Sequence, residues 1–141
     1  SAETLSGASL LSVAAGTATL AHLLAERAAL YPALNDAGRA LAERFNSFAA
    51  SERLPVEMRC AGSMFRVCFE GPAQASARGA GGDAVNVALN LLLLNRGILM
   101  TPCRNGFLSA AHTAADIDGA LTALTASMCD IRDDSLFDHA R

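Results

Sequence analysis

The apolar positions of this chain change their spacing near residue 55, and that change sorts the sequence into its elements. From Ser9 to Arg27, the residues Leu10, Val13, Ala14, Thr17, Ala18, Ala21 and Leu24 recur three and four apart. That is the spacing of one helix face, so a first helix is predicted there. Its small residues Ala14, Ala15, Gly16 and Ala18 would let another backbone approach closely. Tyr31-Pro32 punctuates the pattern, with proline suited to a first helical turn, and a second helix is predicted from there to about Ser51. Leu34, Ala37, Gly38, Leu41, Phe45, Phe48 and Ala49 form its apolar stripe, and Arg39, Glu43 and Arg44 its solvated face.

Beyond Leu54 the period falls to two. Pro55-Val56-Glu57-Met58-Arg59-Cys60 and Met64-Phe65-Arg66-Val67-Cys68-Phe69-Glu70 alternate, and Ala61-Gly62-Ser63 joins them, which predicts two strands with the second one central. The stretch 71–82 is rich in Gly, Ala and Ser and reads as a surface loop. It lacks the Lys-Ser/Thr of a phosphate loop. Asp83 can cap a helix over Ala84–Asn95, which Gly97 stops by adopting positive φ. The run Leu89 to Leu94 leaves that helix almost no polar face, so it should be buried on several sides or covered by another chain. Ile98–Thr101 and Gly106–Ser109 read as short strands around a turn. Thr113-Ala114-Ala115-Asp116 is a capping box variant opening a last helix whose face is Ile117, Leu121, Leu124 and Met128. From Asp130 the chain reads as a charged, fraying tail in which Leu136 and Phe137 could dock. The order helix, helix, strand, strand, helix, strand, strand, helix predicts an α+β domain: a small, mostly antiparallel sheet of about four strands with helices on one face. The boundaries expected within this one domain are a first-helix segment over 1–28, the α+β body over 29–130 and the tail over 131–141.

Composition narrows what this domain does. At 141 residues one domain can bury a sizeable core, and with 52% apolar but only 5% aromatic residues that core must be built from Ala, Leu and Val. A net charge of −3 without a basic stripe argues against nucleic acid as a partner. No apolar stretch reaches the roughly 18 residues of a membrane span, and no export signal opens the chain, so neither membrane nor secretion is expected. Cys60, Cys68, Cys103 and Cys129 lie far apart without metal-ligand spacing and read as reduced, mostly buried thiols, which places the protein in the cytoplasm. All 11 basic residues are Arg. Schiff-base chemistry on a side-chain amine is therefore closed to this chain by itself. His22, His112 and His139 have no second ligand at helical or hairpin spacing. Ser109, His112 and Asp116 or Asp118 would make a catalytic triad on paper, but neighbours at a helix start are better read as capping and turn hydrogen bonds.

Four stretches carry a resemblance. Thr4-Leu5-Ser6-Gly7, followed by Ala14-Ala15-Gly16 and Ala18-Thr19-Leu20, is similar to a "G-T-x-S-G-N-P … A-A-G-x-A-T-L" segment. Gly62-Ser63-Met64-Phe65 matches "G-S-M-F", and Arg96-Gly97-Ile98-Leu99 through Pro102 is similar to "R-G-V-Y-L-x-P". Phe107-Leu108-Ser109-Ala110-Ala111-His112-Thr113 with Asp116-Ile117-Asp118 looks like "F-[VL]-S-x-A-H-T-x-x-D-I-D". In this order and spacing they resemble the C-terminal small domain of class III pyridoxal-phosphate-dependent aminotransferases, nearest to the glutamate-1-semialdehyde aminomutase branch. The likeness runs from about Glu3 to Met128. It departs from the pattern at Glu3, where the family prefers glycine, and at Ala8-Ser9, which replace Asn-Pro.

The resemblance implies an upstream domain that holds pyridoxal phosphate on a lysine, a homodimer, and transfer of an amino group on a small amino or keto acid. It assigns the small domain packing, dimer contacts and part of the substrate entrance. It implies one cofactor contact from this chain, Thr4 reaching the phosphate held by the other subunit, and no catalytic residue or metal ligand. A hydroxyl beside backbone N–H groups at a helix start suits an anion. The alternative is a stand-alone, non-catalytic interaction domain that keeps the fold without the chemistry.

Overall fold

The computed structural model describes residues 9–70, 84–100 and 105–137. The chain divides into two compact units, Ser1–Ala33 and Leu34–Arg141. The first helix, α1, spans Leu10–Ser51 without a break and has Pro32 inside it. The two predicted helices are thus one. Proline removes an N–H and crowds the carbonyl four residues back, here that of Ala28. Ala28 and Pro32 are both exposed, so water can take the freed carbonyl. The surrounding Ala, Leu, Glu and Arg are strong helix formers, which lets the helix continue through the defect.

Within the first unit, Ser9 opens α1 by accepting a hydrogen bond from the Ser12 N–H at 3.1 Å. The apolar side chains that follow, Leu10, Leu11, Val13, Leu20 and Leu24, are exposed.

The second unit holds the core. Strands β1 (Val56–Ala61) and β2 (Met64–Phe69) form an antiparallel hairpin closed by Gly62, whose φ of 61° is the left-handed conformation glycine adopts without penalty. β3 (Asn105–Phe107) pairs antiparallel with β2, giving the order β1-β2-β3 and a central β2, as the alternation predicted. The described residues form three strands instead of about four, with the α+β class unchanged. Val56 faces Phe69 across the hairpin and Met58 faces Val67, which puts these four and Phe65 on one buried face. Leu41, Phe45 and Ala49 of α1 belong to the same core. Helix α1 also meets the hairpin turn closely, since a Cβ added to Gly38 would lie 2.3 Å from the Gly62 carbonyl oxygen. Gly106 sits beneath the Phe65 ring, where a Cβ would fall 2.0 Å from Cζ.

β1 is an edge strand, and α1 pairs with its open side at one residue. The Asn46 amide donates to the Met58 carbonyl at 2.9 Å and accepts from the Met58 N–H at 2.7 Å. One side chain thus takes the place of a neighbouring strand at that residue.

Helix α2 (Ala84–Asn95) buries Val85, Leu89 and Leu93 in the core and leaves Val87, Leu91 and Leu94 exposed, so the Leu-rich run is covered on one side only. Gly97 ends it with φ 78°. The Gly97 N–H bonds the Leu94 carbonyl at 3.0 Å and the Ile98 N–H bonds that of Leu93 at 2.9 Å, a Schellman closure. In the described part of the expected strand at Ile98–Thr101, Ile98 spends its N–H on the helix end, and residues 98–100 join no ladder. Thr101 lies outside the described residues.

Helix α3 (Ala114–Asp133) packs against α2 and buries Leu124, Ser127, Met128 and Ile131. It passes the point near Asp130 where fraying was expected, because Ile131 is fully buried. Leu136 and Phe137 do dock, with the Phe137 ring 5.9 Å from that of Phe69.

Candidate functional site

A cleft of the second unit opens where α2 ends and α3 begins, with β3 along one side. It encloses about 440 Å³ between Ile98, Leu99, Phe107 and Leu108 on the apolar side and Arg96, His112 and Asp116 on the polar side. Each polar group is already engaged. Arg96 donates to Asp130 Oδ2 at 2.6 Å and to the Leu92 carbonyl at 3.2 Å, which ties α2 to α3. Asp116 accepts from the Thr113 N–H at 2.8 Å and from the Thr113 hydroxyl at 2.7 Å, while its own N–H donates to that hydroxyl at 3.2 Å. This is the complete capping box that the sequence announced. The Thr113 backbone N–H, then its hydroxyl, hold the Asp116 carboxyl below its ordinary pKa.

Ser109 and His112 meet, but not as a nucleophile and its base. His112 Nδ1 accepts from the Ser109 backbone N–H at 3.0 Å, and the Ser109 hydroxyl, 3.4 Å from the same nitrogen, accepts from the Ala111 N–H at 3.3 Å. Among the described residues no carboxylate orients the imidazole either: Asp116 serves the cap, and Asp118 binds Arg44 at 2.6 Å. The turn-and-cap reading of these residues therefore holds.

Thr4, the residue expected to reach a cofactor phosphate, lies outside the described residues, as do Glu3 and Cys103. The expectation of mostly buried thiols fails for the other three cysteines: Cys60 is exposed, and Cys68 and Cys129 are half-buried. Cys60 is the next-to-last residue of β1, and Cys68 sits opposite Glu57 on the outer face of the hairpin, away from the core. Among the described residues no three His, Cys, Asp or Glu side chains gather as metal ligands, and no helix is long and apolar enough to cross a membrane.

The described residues do not by themselves fit pyridoxal phosphate. The chain contains no lysine for the aldehyde. The guanidinium in the cleft that could face a phosphate, Arg96, is held by Asp130.

No family model matches the chain. It is 33% identical over 126 residues to a glutamate-1-semialdehyde 2,1-aminomutase of Acidobacterium capsulatum, which covers 86% of this chain and 29% of that protein. It is 37% identical over 132 residues to the enzyme of the same name from Thermus thermophilus, covering 87% and 29%. The chain thus spans less than a third of the length of the curated relatives it matches. In fold it is similar to a β-phenylalanine aminotransferase from Variovorax paradoxus, with TM-score 0.60, 26% identity, and 72% of this chain and 24% of that one covered. An ω-transaminase from Sphaerobacter thermophilus gives TM-score 0.62 at 21% identity over 72% and 24%, which speaks for the fold alone. By sequence and by fold the chain is a relative of part of the glutamate-1-semialdehyde 2,1-aminomutases and of the transaminases, consistent with the C-terminal portion of a class III aminotransferase, a family whose cofactor is pyridoxal phosphate.

Proposed function

We propose that this chain is the small domain of a cytoplasmic, homodimeric aminotransferase or aminomutase that moves an amino group on a small amino or keto acid through pyridoxal phosphate. The observation that carries the reading is the match at 33–37% identity over most of this chain to less than a third of its aminomutase relatives. In the complete enzyme the cofactor supplies the electron sink for the amino transfer, and an upstream lysine anchors it. This chain contributes walls and packing. The cleft of Ile98, Leu99 and Phe107 offers apolar surface for the substrate entrance, and its polar groups keep their shape through internal pairs. Thr4 is assigned to the cofactor phosphate of the partner subunit, a role that a hydroxyl next to backbone N–H groups suits.

The second unit closes a core of its own from residues of α1, β1, β2, α2 and α3. That observation favours a second reading, a non-catalytic interaction domain that keeps the fold. The reading frame that encodes the chain separates the two. A lysine-bearing cofactor domain in frame ahead of Ser1 is expected, and a frame without one would overturn the enzyme reading. In the complete protein, Thr4→Val should weaken pyridoxal phosphate binding about tenfold, the loss of one hydrogen bond to a charged group, as measured by cofactor dialysis. Unchanged retention would remove Thr4 from the site.

A further inference from the structure

The sheet has a second face, and it is ordered in rows. The register places Arg59 opposite Arg66 and Arg66 opposite Asn105, and in the next row Ala61 opposite Met64 and Met64 opposite Phe107. All six residues share the face turned away from the core, because residues directly opposite or two apart on a strand point the same way. Together they line a groove of about 280 Å³. One row is cationic and polar, the other apolar, and Met64 and Phe107 are 50% and 54% exposed.

The cationic row is poorly matched to a free surface. Like charges directly opposite across a sheet destabilise it. Arg59 finds relief in Glu57, whose carboxylate lies 2.9 Å from its Nε. Among the described residues the Arg66 guanidinium has no ion pair. It stands between Arg59 and Asn105, with an apolar shelf beside it. Among the described residues, what this row lacks is a negative charge for Arg66, and the shelf next to it has no apolar cover.

We propose that this face is a docking surface for a polypeptide segment that presents a carboxylate to Arg59 and Arg66 and an apolar side chain to Met64 and Phe107. The two rows are two residues apart along each strand, about 7 Å, so the segment carries its acidic and apolar groups at the same separation. The proposal does not depend on the cofactor reading.

The test has two arms. In the first, the ¹⁵N-labelled chain is titrated to about 1 mM with the blocked peptide Thr-Glu-Thr-Leu-Thr-Glu-Thr-Leu, whose Glu and Leu share one face when extended. Saturable shifts confined to the two rows are expected. Replacing the peptide glutamates by Gln, or Arg66→Gln in the chain, should weaken binding at least tenfold, and added salt should weaken it further. In the second arm, Arg66→Thr should raise the melting temperature of the free chain by about 2 °C through relief of the Arg59 repulsion. Four results would overturn the proposal: no shifts; shifts indifferent to the Glu→Gln change; a lower melting temperature for Arg66→Thr; or concentration-dependent dimerisation through these rows without peptide, which would make a second copy the occupant.

Discussion

The two halves of α1 are built from the same kinds of residue, yet they end in opposite surroundings. Leu20 in the first half is 63% exposed, whereas Leu41 in the second is 1% exposed and Phe45 is fully buried. Both halves carry apolar residues three and four apart and both are helical, so the periodicity settles the helix but not its cover. Cover depends on what the rest of the chain brings to that face. For the second half it is the hairpin, α2 and α3.

Paired substitutions can break this contrast. The largest effect is expected from Phe45→Ala, which should cost about 3–5 kcal/mol in urea unfolding, while Leu20→Ala should change stability by about 0.5 kcal/mol or less. Equal losses would mean that the first half is as well packed as the second. Next comes Gly38→Ala, whose new methyl must push against the Gly62 backbone at a cost of about 1–3 kcal/mol. Gly16→Ala meets nothing within 4 Å and should gain up to about 1 kcal/mol from helix propensity, so the same substitution carries opposite signs in the two halves.

Helix starts sharpen the contrast. Thr113→Ala removes the hydroxyl of a reciprocal box and should cost about 1 kcal/mol, whereas Ser9→Ala removes a single hydrogen-bonding cap and should cost about 0.5 kcal/mol. The box also sets a pH dependence. The Asp116 pKa is lowered by folding, so its contribution is complete above the ordinary carboxylate range and disappears as pH falls through the folded-state value. Acid melts of Asp116→Asn should lack that component of the loss, and melts matching the parent would show that the box carries none of it. The helix ends give an effect of similar size and opposite sign. Arg53 at φ 54° closes α1 as Gly97 closes α2, and Arg53→Gly should stabilise by about 0.5–1 kcal/mol in the same unfolding experiment.

What could be read from the sequence was the local physics. Alternation gave the hairpin and its central strand, Thr113 and Asp116 gave the cap, and Gly97 gave the stop. The misses had a common origin in competition between neighbouring elements. Pro32 reads as a helix start in isolation, but the flanking residues hold the helix on both sides of it. Ile98 reads as a strand residue until the end of α2 claims its N–H. The cationic row was legible only in part: alternation puts Arg59 and Arg66 on outward positions, but the hairpin register is what sets them opposite each other. Cys60 and Cys68 were misjudged because a residue type's average burial says nothing about a strand's outer face or its end.

The Asn46 amide has a consequence for the order of folding events. It reaches Met58 across only 12 residues, a closure of the kind that takes about 10–100 ns, whereas β3 must return to β2 from beyond the whole of α2. The outer edge of the hairpin is therefore held at Met58 while the inner neighbour of β2 is still awaited. During refolding, the strand left open to other chains is β2, and intermolecular pairing should begin there until Asn105–Phe107 arrives.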